Sequence, residues 1–475
     1  MKQFIGLAIA MLIAGCNGLS DDDEASTPEH VQYSWVTLGP NGAAIARAVS
    51  THDTCPIINV GNTRVRMQLR AGSGTMPQRP TASRPDDSKP SDFPVITCEA
   101  TLPADAVSAS IGGQPLPLPK AQPQRIVILG DTGCRMKKSD NAFQDCNNID
   151  QWPLSRIAAT AASLKPDLVL HVGDYHYREN ACPQGVAGCE DSPWGYGWDA
   201  WEADLFRPAA PLMAAAPWVV VRGNHEECAR AGQGWFRFLA PEPYTPARSC
   251  NDARNDAVAN LSPPYAVPLG GDHQFIVFDS ASAGWAKLPV DDPKSLNYQL
   301  QLMNVARLAG GVRGGSFFAS HHPVLGYEML DNGRLVGGTV PLQDAMAQVN
   351  GLAYYPAGIQ LALHGHVHNF QALTFASDHP ATIVSGNGGD DVSPALPSPL
   401  PPLAPAPGVT LERITHSSTF GFMLMERVAT GWTYKAYTAG GKVMTTCSQQ
   451  GRRLLCDRRA GSLPDHGRRC VWQGA

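Results

Sequence analysis

The chain has 475 residues, enough for one large domain with a smaller companion and a substantial core. With 43% hydrophobic and 17% charged residues it has the make-up of a globular protein, not of a disordered chain. A formal charge of −5 offers no basic footprint for nucleic acid, and 46 glycines and 40 prolines predict many loops.

The N-terminal stretch MKQFIGLAIAMLIAGC joins one lysine to an apolar run too short to span a bilayer, then small residues before Cys16. That is the pattern of an export signal. Ile13-Ala14-Gly15-Cys16 resembles a bacterial lipobox, which implies a signal over 1–16 and a lipid anchor on Cys16. A plain signal peptide or a short buried helix is the blander reading. Residues 17–29 read as a polar tether. By resemblance to lipoprotein sorting, Asn17 after the cysteine favours the outer membrane, facing the periplasm or the cell surface. A soluble periplasmic or secreted protein is the weaker alternative. No other segment is long and apolar enough to cross a membrane.

Export permits disulfides. Of the 12 cysteines, neighbours pair naturally as Cys55 with Cys98, Cys134 with Cys146, Cys182 with Cys189, Cys228 with Cys250 and Cys447 with Cys456. Cys470 is then left over, and spacing alone does not fix the connectivity. No convincing CxxC pair marks a structural zinc.

From 30 to 122, short alternating runs such as VQYSWVTL and TRVRMQLR predict a small antiparallel β-rich domain. It contains a Pro-rich loop at 72–92 and ends in the linker PLPLPKAQPQ, 115–124. From 124 to 445 the grammar changes. The strands RIVIL, LVLHV, WVVV, FIVF, GSFFA, IQLALH and ATIV alternate with helical pieces such as 153–165 and WDAWEADLFRPAAPLM. Such alternation predicts an α/β sandwich, with function at the carboxyl ends of the strands. The stretch 393–408 is a Pro-rich loop, FGFMLMERV and TYKAYT are closing strands, and 446–475 is a Cys-containing tail.

Five strand ends carry metal-capable residues: Asp131, Asp174, Asn224 with His225, His321 with His322, and His366 with His368. A single strand-end Asp is usually a turn former and a single His a satisfied polar group. Five in the same position of successive strands converge on one patch, and imidazole, carboxylate and amide together suit hard and borderline metals. That many ligands fits two cations, with a bridging carboxylate holding them about 3.5–4 Å apart.

The blocks GDTG, GDYHY, GNHE, SHHP and GHVH resemble, in order, the signature of the calcineurin-like metallophosphoesterases, and most closely the purple acid phosphatase branch. The resemblance covers about 124–392; Phe318 departs from the pattern, and Gly133 stands where many relatives carry a ligand histidine. It implies a four-layer α/β/β/α sandwich. It also implies a first metal on Asp131, Asp174, Tyr177 and His368, and a second on Asp174, Asn224, His321 and His366. Fe(III) plus a divalent ion (Zn, Mn or Fe) is the implied pair, with tyrosine replacing the missing histidine. His225 would sit beside the scissile phosphate, donating a proton to the leaving oxygen or stabilising its charge. His322, Arg178 and His364 are candidates for substrate or supporting contacts, with ordinary hydrogen bonding equally open. Tyr175 and His176 are expected to point away, and Asp390 and Asp391 to form a loop.

The implied function is hydrolysis of a small phosphate ester by metal-activated hydroxide, most of all a phosphomonoesterase of the acid phosphatase type. Alternatives are a phosphodiesterase or nucleotidase on the same centre, a non-catalytic binding lipoprotein of this fold, and a metal hydrolase of non-phosphate bonds. No GxSxG elbow or Walker loop points elsewhere. The sequence names no protein partner.

Overall fold

The computed structural model describes residues 21–27, 29–79, 83–289, 291–457 and 471–474. The expected signal, its Cys16 and the leftover Cys470 lie outside them.

Period-two alternation in the central strands builds the layers. In the strand Arg125–Leu129, Ile126 and Ile128 face one apolar cluster while Val127 and Leu129 face another. The first cluster lies between two stacked sheets, where Ile128 and Leu170 share it with Phe317, Leu361 and Ile383 of the opposite sheet. The second lies under the helices Leu154–Ser163 and Arg207–Ala215. A third joins the outer face of the opposite sheet to the helices Pro293–Ala309 and Val340–Asn350. The result is the four-layer α/β/β/α sandwich. Strands buried on both faces are near-continuous apolar runs, which is why RIVIL and LVLH read so clearly.

Among the described residues the first sheet has eleven strands and the second eight. At the centre of the first, Leu168–His171 lies parallel between Arg125–Leu129 and Trp218–Val220. At the centre of the second, His273–Val277, Gly315–Ala319, Ile359–His364 and Ala381–Ser385 run parallel. Parallel strands put their carboxyl ends on one rim, and the predicted residues follow those ends.

The β-rich N-terminal stretch does not stand apart as one small sheet. Val31–Leu38 pairs with Trp218–Val220 through Thr37 and Trp218, and Ala44–Ser50, Ile96–Thr101 and Gln68–Ala71 continue the same sheet. Ile57–Val60, Thr63–Arg66, Ala109–Ile111 and Gln114–Pro115 form a separate four-stranded sheet, and Gly74–Met76 pairs with Ser91–Phe93 in a two-stranded one. The C-terminal stretch is likewise built in. Val443–Gln450 and Arg453–Cys456 extend the first sheet, and Val471–Gly474 pairs with Leu411–Ser417 in the second. The five expected disulfides are formed: Cys55–Cys98, Cys134–Cys146, Cys182–Cys189, Cys228–Cys250 and Cys447–Cys456. Among the described residues no helix is long and apolar enough to cross a membrane.

Candidate metal centre

Three predicted ligands leave their strands through left-handed backbone: Asp131 at φ 57°, Asp174 at φ 55° and His366 at φ 70°. Non-glycine residues held there carry strain of about 1–3 kcal/mol each, which persists where the surroundings over-determine it. Here they do. The Asp131 carboxylate accepts the backbone N–H of His366 at 2.9 Å, and Asp174 Oδ1 accepts that of His225 at 2.8 Å. Glycine is required beside them: a Cβ on Gly223 would lie 2.0 Å from Asp174 Oδ1.

The side chains gather in two groups that share Asp174. In the first, the Tyr177 hydroxyl lies 3.1 Å from Asp131 Oδ1, 2.9 Å from Asp174 Oδ2 and 3.1 Å from His368 Nε2. In the second, His321 Nε2 lies 3.1 Å from Asp174 Oδ2 and 3.1 Å from Asn224 Oδ1. His366 Nδ1 is 3.1 Å from the same Asn224 oxygen and 3.3 Å from His321 Nε2. Ligand atoms of Asp174, His321 and His366 all lie within 4.8 Å of one another. Imidazole nitrogens, an amide oxygen and carboxylates turned inward on one another are a donor set short of protons, and cations fit it.

The orientation of each ring is set from behind. His321 Nδ1 is 2.9 Å from the Val172 carbonyl, so it donates there and turns Nε2 inward. His368 Nδ1 donates to the Asp391 carbonyl at 2.9 Å and lies 3.3 Å from the Asp390 carboxylate. Asp390 is more than a loop former, because its buried carboxylate also takes the Arg135 guanidinium, whose centre lies 5.0 Å over the Tyr177 ring.

The field in the cleft is negative. Burial lowers His321 and His368, yet the carboxylates of Asp174 and Asp131 lift the first, and those of Asp390 and Asp131 the second, to about 9. Burial opposes ionisation of Asp174, but the His321 and His225 charges and the His321 hydrogen bond outweigh it and hold the carboxyl well below its ordinary range. Burial and then the Asp131 and Asp174 charges push the Tyr177 phenol well up. A cation among these carboxylates inverts that logic and favours the phenolate.

His225 takes a different place. Its Nδ1 lies 2.9 Å from the His176 carbonyl, its ring is 3.8 Å from that of Tyr177, and Arg230 Nη2 is 2.6 Å from Nε2. Burial and the Arg230 charge hold the imidazole well below its usual range, so it is neutral. Arg230 is itself paired with Glu179, which also accepts from the Tyr196 hydroxyl at 3.0 Å.

Of the three supporting candidates, the structure brings only His322 to the centre, with its ring 4.1 Å from that of His366 and Nδ1 3.2 Å from Ser280 Oγ. Arg178 is turned away, bonded to Asp204 at 2.6 Å and lying over Trp152. His364 ends a strand facing the helix layer, where it meets Ser320 Oγ at 3.0 Å and the Tyr355 hydroxyl at 3.4 Å. Tyr175 stacks on His171, and His176 lies between Tyr196 and Trp201. Arg135, Arg230, Glu179 and Glu226 are the residues that sequence reasoning passed over. Only Glu226 carried a signal, because it belongs to the GNHE block.

The family model described as calcineurin-like phosphoesterase matches residues 124–370. Among solved structures, a purple acid phosphatase, PPD1, isolated from yellow lupin (Lupinus luteus) seeds is 15% identical over 87% of this chain and 73% of its own, with a TM-score of 0.49. PhoD is 12% identical over 91% of this chain and 92% of its own, with a TM-score of 0.51. The likeness to PhoD shows a shared fold. No curated protein sequence matches the chain.

Proposed function

The chain belongs to the calcineurin-like phosphoesterase family, and from that premise we propose that it hydrolyses phosphomonoesters at a two-metal centre of the purple acid phosphatase kind. The observation that carries this reading is the pair of donor groups joined through Asp174. Asp131, Tyr177 and His368 would hold one ion, Asn224, His321 and His366 the other, and Asp174 both. Fe(III) suits the phenolate group and a divalent ion the other. Such ions, when bound, neutralise phosphate oxygens and lower the pKa of a water.

The rest falls to the protein. Val172, Asp390 and the Asp391 carbonyl fix the ligand rings, so little reorganisation is left for the reaction. His225 is neutral, and its Nδ1–H is committed to the His176 carbonyl. It is therefore no standing acid. Positive charge beside it comes from Arg230, which supports stabilisation of charge on the bound phosphate over proton donation by an imidazolium.

Assay of metal-loaded protein on phenyl phosphate and on its bis-ester tests the reading. The monoester should be turned over and the faster of the two, with activity lost on chelation. Background rates on both would return the chain to a binding role, and a faster bis-ester would make it a diesterase.

From the sequence we also propose a lipid anchor on Cys16. Cys16→Ser should move the protein from the membrane to the soluble fraction; unchanged membrane retention would refute the anchor.

A further inference from the structure

A cavity of about 280 Å3 opens beside the metal centre. Its walls include Trp285, Pro323, Tyr327 and Val336, with Glu328 and Arg334 as polar members. His366 also lines it, so the cavity is continuous with the donor cluster. Trp285 is 67% exposed, and its ring sits 5.0 Å from that of His366. A single exposed apolar side chain needs no explanation in general. This one is a tryptophan leaning on a predicted ligand at the edge of a cavity.

On the phosphoesterase reading above, we propose that this cavity receives the organic group of the ester and selects a planar aromatic one, stacked on Trp285. His366 belongs to the second donor group and lines the cavity, so the indole face is within reach of the ester substituent of a phosphate held at that group. Small-molecule sites begin at roughly 300 Å3 and are mostly apolar with a few placed polar groups, which this cavity matches at the small end. It has room for a ring system and too few polar side chains to bind an unaided sugar. Glu328, Arg334 and Thr339 are the groups left to meet the edge of a ring. The aromatic group can be a simple aryl or a nucleobase.

Calorimetric titration of metal-loaded protein with phenylphosphonate and methylphosphonate tests the subsite without turnover. Phenylphosphonate should bind about tenfold more tightly, the scale of one good aromatic contact. Trp285→Ala should narrow that ratio to roughly twofold, and Trp285→Phe should keep most of it. Equal binding of the two phosphonates, no binding of either, or a ratio untouched by Trp285→Ala overturns the proposal. Rates on phenyl phosphate, adenosine 5′-monophosphate and glycerol 3-phosphate separate the sources. A lead for the nucleotide assigns a nucleobase, and a lead for phenyl phosphate assigns a simple aryl group. Glycerol 3-phosphate as the best substrate overturns the subsite. Background rates on all three with phenylphosphonate still preferred would leave the subsite standing and the phosphoesterase reading refuted.

Discussion

Gly133 and Tyr177 answer one another. A Cβ on Gly133 would lie 2.8 Å from Asp204 Oδ2, 2.8 Å from the Tyr177 backbone nitrogen and 2.9 Å from the Tyr175 carbonyl oxygen. The loop that carries Tyr177 leaves no room for a side chain at position 133, and its phenol joins the first donor group. Iron-loaded protein should show a phenolate charge-transfer band in the visible, and Tyr177→Phe should abolish it. An unchanged spectrum in that variant would remove tyrosine from the ligand set. The ligand candidates other than Tyr177 were legible because each follows the end of a buried strand, and Tyr177 came with the family resemblance. The cations were not. Arg178 follows Tyr177 directly and, with neighbouring side chains of extended backbone pointing opposite ways, faces Asp204. His364 has the ordinary hydrogen-bonding role left open for it: it shares a strand face with Ala362, toward the helix layer, whereas His366 lies beyond the strand end. Arg230 reaches His225 from five residues on, through a loop closed by the Cys228–Cys250 disulfide, and no local pattern announces such a return.

Two strand-end loops are joined by Glu226. Its buried carboxylate accepts backbone N–H groups from Gly223, Asp174, Tyr175 and His176, at 3.1, 3.2, 2.9 and 3.2 Å. Burial and the neighbouring Asp174 charge push Glu226 up to about 8, against those donors. Glu226→Ala would leave four buried N–H groups without a partner, each costing about 1–3 kcal/mol. Both loops should loosen, with a lower unfolding midpoint and metal content below the wild type in the same preparation. Wild-type stability and metal content in that variant would show that the loops hold their shape without it. The strands these loops follow were readable as apolar runs, and the disulfides as neighbouring cysteines. The loops themselves take left-handed turns at Asp131, Asp174 and His366, residue types that enter that region more readily than most but mostly lie outside it, so the turns are not announced locally.

At the scale of the whole molecule, long-range pairing was the hidden part. One parallel register, Thr37 with Trp218, draws the N-terminal strands into the catalytic sheet, and neither segment carries a mark of the other. The charges of the whole cleft set a pH dependence for metal-free protein. His321 and His368 rise from 6.5 to about 9, so their contribution is complete below about pH 6.5 and is lost as pH climbs through about 9. His171 and His366, buried and held well below 6.5, act in the opposite sense and weaken the fold as pH falls below that value. Unfolding midpoints at about pH 5, 7 and 9.5 should therefore peak in the middle, and a steady rise across the range would contradict this balance. The two-metal reading turns on Asp174 as the ligand both sites share. Metal content per chain, measured on wild type and Asp174→Ala after loading and exhaustive dialysis, tests it most directly. The wild type should hold two ions and the variant should lose both; a wild type with fewer than two, or a variant that keeps two, would refute the shared ligand.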